Sequence, residues 1–202
     1  MYIKWGKLIR LAEGRITHFV ETHTPLPVPI VIDNFTVGEN TYLVTSRLPG
    51  KPLSMLYPEL TPEQECRLSE QLSRILAPLR ALSAPSGLTL MVRTGGLEIP
   101  DDEAETVWET ITKAHSRPHR LCLTHNDLGP HNVLVDDDWK ITGIVDWEAA
   151  GWLPEYWELT KGTFLPFYRK GRWHRILSAA LPGYALEQEA EKYIVKYRKI
   201  YT

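Results

Sequence analysis

The residues of this chain that could do chemistry are concentrated in the stretch 123–148, which contains Asp127, Asn132 and Asp146. Two apolar runs separated by a turn of aspartates connect Asn132 to Asp146, a pattern that predicts a β-hairpin. A hairpin brings its two ends together, so Asn132 and Asp146 should lie side by side. Their oxygen ligands suit Mg²⁺, which binds a few protein carboxylates or amides together with substrate phosphates.

Asp127 lies on the loop just before this hairpin. It should face the same space as the two metal ligands with no metal ion to neutralise it, which is where a base for a substrate hydroxyl belongs. The three aspartates at 136–138 have a simpler interpretation, because aspartate is common in turns. The stretch therefore predicts one base and a pair of metal ligands around a single space.

The sequence around these residues resembles the aminoglycoside phosphotransferase and choline kinase branch of the protein-kinase-like fold, which phosphorylates small molecules. The catalytic loop and the metal-binding aspartate of that family are matched by His125–Asp127 and Ile144–Glu148. The agreement continues in Gly151–Trp152 and Pro154–Glu158, which are typical of fungal members, and upstream in Leu48–Leu53. The resemblance runs from about Ile3 to the end of the chain.

The resemblance implies a role for each matched residue. Asp127 would be the catalytic base, Asn132 and Asp146 the Mg²⁺ ligands, and His125 a residue that orders the catalytic loop. The family usually has glycine at the position of Asn126, although asparagine also tolerates a positive φ. The implied reaction is transfer of the γ-phosphate of ATP to a hydroxyl group of a metabolite.

Lys4 and Glu13 match the lysine and glutamate that hold the nucleotide in this family. A kinase N-lobe begins with a glycine-rich hairpin over the ATP phosphates, followed by a strand lysine and a helix glutamate that pair with each other. An isolated lysine or glutamate is usually a solvated surface residue, but the order of these two before a proline-rich connector favours the pairing. Only residues 1–3 precede Lys4, so we expect this chain to lack the hairpin and to bind nucleotide weakly.

Three explanations for the missing hairpin remain open at this point. The sequence could be a truncated form, a natural short kinase with a weakened nucleotide clamp, or a kinase scaffold that no longer uses ATP. The leading hypothesis is a small-molecule phosphotransferase with ATP and Mg²⁺ as cofactors. The alternative is a kinase-fold protein repurposed for acid–base catalysis on a metabolite, as in a biosynthetic pathway, or for ligand binding.

Composition restricts the partners of the protein. The chain has 202 residues, is 43% hydrophobic and carries a net charge of −2 without a basic run, so nothing favours nucleic acid. No apolar stretch is long enough for a membrane span, and Lys4, Lys7 and Arg10 interrupt the N-terminus where a secretory signal would be apolar. The isolated thiols Cys66 and Cys122 favour a reducing compartment, so we expect a cytoplasmic protein with a small-molecule substrate. The sequence does not indicate the oligomeric state.

The resemblance implies an α+β, protein-kinase-like fold, with a reduced antiparallel-sheet N-lobe at 1–48 and a mainly helical C-lobe at 49–202 that carries the catalytic hairpin. Local patterns predict strands at 2–5, 30–37 and 41–48, a loop at 85–101, and helices at 8–22, from Thr61 onward, and at 102–115, 154–164, 172–180 and 185–200. Apolar side chains are expected on the inner face of the first helix: Ile9, Ala12, Ile16, Phe19 and Val20. A capping box predicts the helix start at Thr61.

Overall fold

The computed structural model describes residues 1–87, 97–164 and 171–198. Short antiparallel strands and helices occur in separate runs along the chain, which is the α+β architecture expected from the sequence. The elements in chain order are β1 (Tyr2–Gly6), α1 (Leu11–His23), β2 (Val31–Val37), β3 (Asn40–Thr45), β4 (Lys51–Pro52), α2 (Leu53–Leu56), a 3₁₀ turn (Tyr57–Glu59), α3 (Pro62–Ala81), α4 (Asp101–His115), β5 (Leu121–Thr124), β6 (Val133–Val135), β7 (Ile141–Ile144), β8 (Gly151–Pro154), α5 (Trp157–Gly162), α6 (Arg172–Ala180) and α7 (Ala185–Tyr197).

The amino-terminal sheet is antiparallel, with strand order β1-β3-β2. Lys4 pairs with Leu43 across β1 and β3. Since side chains alternate along a strand, these two residues share a face of the sheet, and Leu43 is buried there. On the opposite face, the rings of Trp5 and Phe35 both stack against Tyr42. The register of β1 therefore directs Lys4 toward the interior and Trp5 toward solvent.

The prediction of an apolar inner face for α1 is only partly correct. The buried residues are Glu13, Gly14, Thr17 and Val20, whereas Ala12 is exposed and Ile9 precedes the helix. Close contact with the sheet explains this orientation of the helix. At Gly14 a Cβ would come within 2.3 Å of the Asn34 side chain, and that side chain donates a hydrogen bond to the Leu11 carbonyl oxygen. The same orientation directs Glu13 inward.

Helix α3 begins as the capping box predicts. The Thr61 hydroxyl accepts a hydrogen bond from the Gln64 backbone, and the Gln64 side chain accepts one from the Thr61 backbone. The helix continues through Pro78 to Ala81. Its apolar stripe is buried against a core that includes Trp147 and Trp173; the stripe comprises Leu68, Leu72, Leu76 and Leu79.

The hairpin predicted between Asn132 and Asp146 is confirmed as β6 and β7, which pair Val133 with Ile144. The turn aspartates have the expected structural role, since the Asp136 carboxylate accepts backbone hydrogen bonds from Asp138 and Lys140. Strand β4 adds to this hairpin, giving the order β4-β6-β7. The hairpin is thus fixed on one side by the segment that leaves the amino-terminal sheet.

The predicted start of the helix at 154–164 was wrong. Residues Gly151–Pro154 form β8, which pairs with Leu121–Thr124 of β5, and the helix begins only at Trp157. No local pattern identifies this pairing, because each strand has only four residues and its partner lies far away in the sequence. The predicted loop at 85–101 and the end of the predicted helix at 185–200 lie partly outside the described residues.

Among the described residues, no helix combines the length and the apolarity needed to cross a membrane. Cys66 and Cys122 are both free thiols, one exposed and one buried.

Candidate active site

Asn132 and Asp146 lie at adjacent ends of the catalytic hairpin. The Val145 N–H donates a hydrogen bond of 3.0 Å to the Asn132 carbonyl oxygen, which holds the backbone of Asn132 beside the start of the Asp146 segment. Asp146 has a φ of 65°, in the left-handed region, so the chain turns sharply as it leaves β7. The local fold therefore brings the two predicted metal ligands to one place.

Both residues line a cavity of about 560 Å³ between the amino-terminal sheet and the hairpin. The charged side chains in its described lining are Lys4, Glu13, Asp146 and Arg47. Its apolar walls include Leu43, Leu48, Leu134 and Val145. A cavity with apolar walls and a few convergent polar groups is the usual form of a small-molecule site. A groove of about 680 Å³ between α3 and α6 contains none of the predicted site residues.

Asp127 is connected to this cavity through Asn132. The Asn132 side-chain amide donates hydrogen bonds to the Asp127 carbonyl oxygen at 2.9 Å and to the carboxylate Oδ2 at 3.1 Å. Among the described residues, those lining the cavity do not include Asp127, and its side chain is 58% exposed. His131 approaches the same carboxylate, with its Nε2 at 3.6 Å. The structure thus places Asp127 beside the cavity, where its carboxylate is accessible from solvent.

His125 is fully buried below this loop. Its Nδ1 accepts the Asp127 backbone N–H at 3.3 Å, while its Nε2 lies 2.9 Å from the Val145 carbonyl oxygen. Burial lowers the pKa of His125 below its usual value, which favours the neutral ring. The two hydrogen bonds then place the single proton on Nε2. The imidazole therefore ties the Asp127 loop to the residue that precedes Asp146.

Glu158 is a site residue to which the sequence analysis assigned no role. It is 2% exposed, and its carboxylate accepts the backbone N–H groups of His125 at 2.6 Å and of Asn126 at 3.1 Å. Burial raises the pKa of Glu158 to about 7, against the lowering effect of these two hydrogen bonds. The only signal for it in the sequence was its position within the matched segment Pro154–Glu158.

Asn126 has the positive φ expected of a residue that stands where the family has glycine, with φ 65°. Its side chain also has two partners: the amide donates to the Ala149 carbonyl oxygen, and the Trp157 indole N–H donates to its Oδ1. Together with Glu158 these contacts fix the backbone immediately before Asp127. Asp127 thus follows a backbone segment that is held by a buried polar framework.

Lys4 is the centre of a charged cluster at the inner end of the cavity. Its ammonium nitrogen lies 3.0 Å from Glu13, 3.0 Å from Asp146 and 3.1 Å from Glu148. Burial alone would lower the pKa of Lys4, but hydrogen bonds to these three carboxylates outweigh it and raise the pKa. The structure therefore brings the predicted pair Lys4 and Glu13 together, and adds Glu148, which the sequence analysis named only as the end of the matched segment Ile144–Glu148.

The cluster and the hairpin together offer oxygen donors for a metal ion. Asp146 is half-exposed at its tip, and the Asn132 amide nitrogen is directed at Asp127, which leaves the Asn132 amide oxygen free for another partner. Carboxylate and amide oxygens of this kind fit Mg²⁺. The same site therefore combines two side chains with oxygen donors, an ammonium group and an accessible carboxylate.

Comparisons with known proteins bear on the family and the fold of the chain. The chain matches the model of the phosphotransferase enzyme family over residues 10–191. The crystal structure of an aminoglycoside-3'-phosphotransferase of type VIII is similar, with 21% identity and a TM-score of 0.65; the match covers 96% of this chain and 83% of that one. A comparison with curated proteins gave no significant match.

Two further solved structures have the same fold. ADP-bound aminoglycoside phosphotransferase APH(2'')-Ib has 14% identity and a TM-score of 0.60 over 89% of this chain and 68% of that one. The gentamicin complex of APH(2'')-IIa has 12% identity and a TM-score of 0.60 over 92% and 70%. These likenesses confirm the protein-kinase-like fold. Because the family model spans most of the sequence, the chain belongs to the phosphotransferase enzyme family.

Proposed function

We propose that the protein transfers the γ-phosphate of ATP to a hydroxyl group of a small metabolite in the presence of Mg²⁺. The observation that carries the proposal is the position of Asn132. Its side chain contacts the carboxylate of Asp127, and its backbone is joined to the segment that leads to Asp146. One residue thereby connects the proposed base to the proposed metal ligands.

In this proposal Asn132 and Asp146 hold the metal ion. A bound Mg²⁺ would neutralise charge on the phosphates during transfer. The role of the protein is to present two oxygen ligands at the ends of a rigid hairpin. Both residues line the cavity, so a ligand within it would meet them directly.

The nucleotide would lie in the cavity with its base against apolar walls and its phosphates toward Lys4. The walls include Leu43, Leu48 and Leu134, which suit the flat apolar faces of a purine. Lys4 is the only lysine in the described lining of the cavity, and its ammonium lies 3.0 Å from the Glu13 carboxylate. The related structure with bound ADP supports nucleotide use by this fold.

Asp127 would accept the proton of the attacking hydroxyl group. Its exposed carboxylate can approach an acceptor in solvent, while Asn132 orients one of its oxygens. His125 and Glu158 position the backbone that carries it and do not themselves contact the substrate. General bases contribute about 10²- to 10⁴-fold to such reactions.

The acceptor is proposed to be a hydroxylated small molecule, as in the related gentamicin complex. We infer a cytoplasmic location from the two free thiols, which suit a reducing compartment. The identity of the acceptor depends on the surface near Asp127 and Trp157, where the indole and the Lys161 ammonium lie close together.

The test of this function combines nucleotide binding with turnover. Isothermal titration of the full chain with Mg-ATP should give saturable heat that is lost in Asp146→Ala, and ADP release should rise when a set of hydroxylated metabolites is added. Asp137→Ala is the control, since this exposed aspartate lies in the turn of the same hairpin. Absence of heat at millimolar Mg-ATP would contradict the proposal and favour a kinase scaffold repurposed for chemistry without ATP.

A further inference from the structure

The turn that leads from the proposed base to the β6–β7 hairpin presents two side chains to solvent. Asp127 and His131 are exposed, whereas Leu128–Pro130 is buried between them. The backbone of this turn is held in place, because the Pro130 carbonyl oxygen accepts the Ser54 N–H at 2.9 Å. A molecule that approaches the turn from solvent therefore meets a carboxylate and an imidazole.

The imidazole of His131 lies directly on Gly129. A Cβ at position 129 would come within 2.5 Å of Cε1 and 2.7 Å of Nδ1 of the ring. The φ of Gly129 lies outside the left-handed region, so its backbone conformation is open to any residue and does not itself require glycine. The missing side chain is instead needed for the close approach of the ring. Gly129 thus sets the position of His131 beside Asp127.

The ring does not close onto the carboxylate. Nε2 of His131 lies 3.6 Å from Oδ2 of Asp127, which is longer than a direct hydrogen bond. The two side chains are 45% and 58% exposed. Two polar groups at this separation are bridged by a water molecule or by the polar groups of a ligand. Asp127 and His131 therefore offer a pair of hydrogen-bonding groups to one small molecule.

Two hydroxyl groups on neighbouring carbons fit this pair. In a gauche arrangement their oxygens have a spacing comparable with that of Oδ2 and Nε2, so one can bond to Asp127 and the other to His131 at about 2.8 Å. A hydroxyl group both donates and accepts, so it suits the imidazole whichever nitrogen carries the proton. An ammonium group only donates, and a lone hydroxyl group leaves one of the two side chains without a partner.

We propose that His131 binds the hydroxyl group next to the one that is phosphorylated, and that the acceptor is a vicinal diol. This inference rests on the proposed function, in which Asp127 is the base. The hydroxyl group at Asp127 gives its proton to the carboxylate and its oxygen bonds to the γ-phosphorus, while the bond from that phosphorus to the departing ADP oxygen breaks. The hydroxyl group at His131 keeps its proton and orients the acceptor. His131 thus selects the acceptor, and Gly129 positions His131.

The test measures diol binding to the full chain without nucleotide, followed by the NMR signals of backbone amides and histidine rings. The probes are cis-1,2-cyclohexanediol and cis-1,3-cyclohexanediol, which carry the same groups at different spacing. The 1,2-diol should shift the His131 ring signals saturably and bind at least about threefold more tightly than the 1,3-diol, which is the size expected for one hydrogen bond.

Substitutions at His131 test its part in this binding. His131→Ala should weaken binding of the 1,2-diol by about threefold to tenfold, because one hydrogen bond is lost. His131→Gln keeps a donor and an acceptor on the side chain and should restore part of the affinity. His18→Ala is the control, since His18 is an exposed histidine on α1 that pairs with Glu21, and it should bind the diol as the wild type does.

Gly129→Ala provides a second variant that leaves the histidine in the chain. Its methyl group displaces the ring and should weaken binding of the 1,2-diol about as much as His131→Ala. The double variant should bind no more weakly than His131→Ala alone, because the displaced ring is already absent. A further loss in the double variant would show that Gly129 does not act through His131, and would reject its positioning role.

Three results would overturn the proposal. They are equal affinity for the two diols, no shift with either diol, and unchanged affinity for the 1,2-diol in His131→Ala. Phosphate transfer is judged separately by the Mg-ATP titration. A protein that binds the 1,2-diol but not Mg-ATP would contradict the proposed function, whereas one that binds Mg-ATP but neither diol would contradict this inference alone.

Discussion

The side-chain amide of Asn132 lies 3.1 Å from Oδ2 of Asp127 and 2.9 Å from the Asp127 carbonyl oxygen. This contact fixes which way the amide is turned, since its two N–H groups face Asp127 and its oxygen faces away. One side chain thus orients the proposed base and leaves an oxygen for a metal ion. The hairpin that carries Asn132 therefore determines the geometry of both halves of the site.

Replacing the proposed base should remove activity without unfolding the protein. Asp127→Asn should lower turnover by about 10²-fold or more, because the amide cannot accept the proton of the attacking hydroxyl. The free energy of unfolding should change by no more than about 1 kcal/mol, since the side chain is 58% exposed. ADP-release kinetics and urea unfolding measure the two effects. Asp137→Asn is the matched control, and full activity in Asp127→Asn would assign the base elsewhere.

Glu158 should make stability depend on pH. Its folded-state pKa is raised to about 7 from 4.5, so the folded protein holds this proton more strongly than the unfolded chain. Its contribution to the free energy of unfolding is full below about pH 4.5 and is lost as the pH rises through about 7. Relative to Glu158→Gln, which does not titrate, the wild type should lose roughly 3 kcal/mol over this range.

Urea unfolding of the wild type and of Glu158→Gln between pH 5 and pH 8 measures this difference. Glu63→Gln, in the exposed first turn of α3, is the control and should show no comparable trend. If the free energies of unfolding of the wild type and of Glu158→Gln differ by the same amount at every pH, Glu158 stays charged in the folded protein.

His125 should remain neutral at pH values where an exposed histidine is protonated. Burial lowers its pKa from 6.5, so its contribution to stability is present above about pH 6.5 and decreases as the pH falls toward the folded-state value. Nitrogen-15 NMR of the imidazole should report the neutral tautomer with the proton on Nε2. An imidazolium signal at pH 6.5 would contradict the hydrogen bond from the Asp127 backbone to Nδ1.

Gly50 should be less replaceable than Gly38, although both have a positive φ. A Cβ at Gly50 would lie 2.6 Å from the Val135 carbonyl oxygen, whereas a Cβ at Gly38 would meet nothing within 4 Å. Gly38→Ala should therefore lower the free energy of unfolding only by the backbone strain, about 1–2 kcal/mol. Gly50→Ala should lower the free energy of unfolding by about 1–3 kcal/mol more, because the new methyl group would overlap with β6. Thermal unfolding of the two variants tests this prediction. Equal losses of stability in both would show that β4 can shift freely to accept the methyl group.

The sequence by itself determined the local parts of this protein. The capping box at Thr61 and the hairpin between Asn132 and Asp146 were predicted because the residues that specify them are neighbours in the chain. The family resemblance was carried by the same short stretch. Turn chemistry and strand alternation act over a few residues, so they can be read from one sequence.

Only the tertiary structure decided the contacts between distant segments. Lys4 and Glu148 are separated by 144 positions, the β5–β8 pairing joins two four-residue strands, and Glu158 reaches back to the backbone of His125. The buried face of α1 combines Glu13 and Thr17 with Val20. Lys4 and Asn34 contact this helix, and the apolar pattern of the helix did not predict those contacts. Such contacts depend on how packed elements meet, and no neighbouring residue in the sequence encodes them.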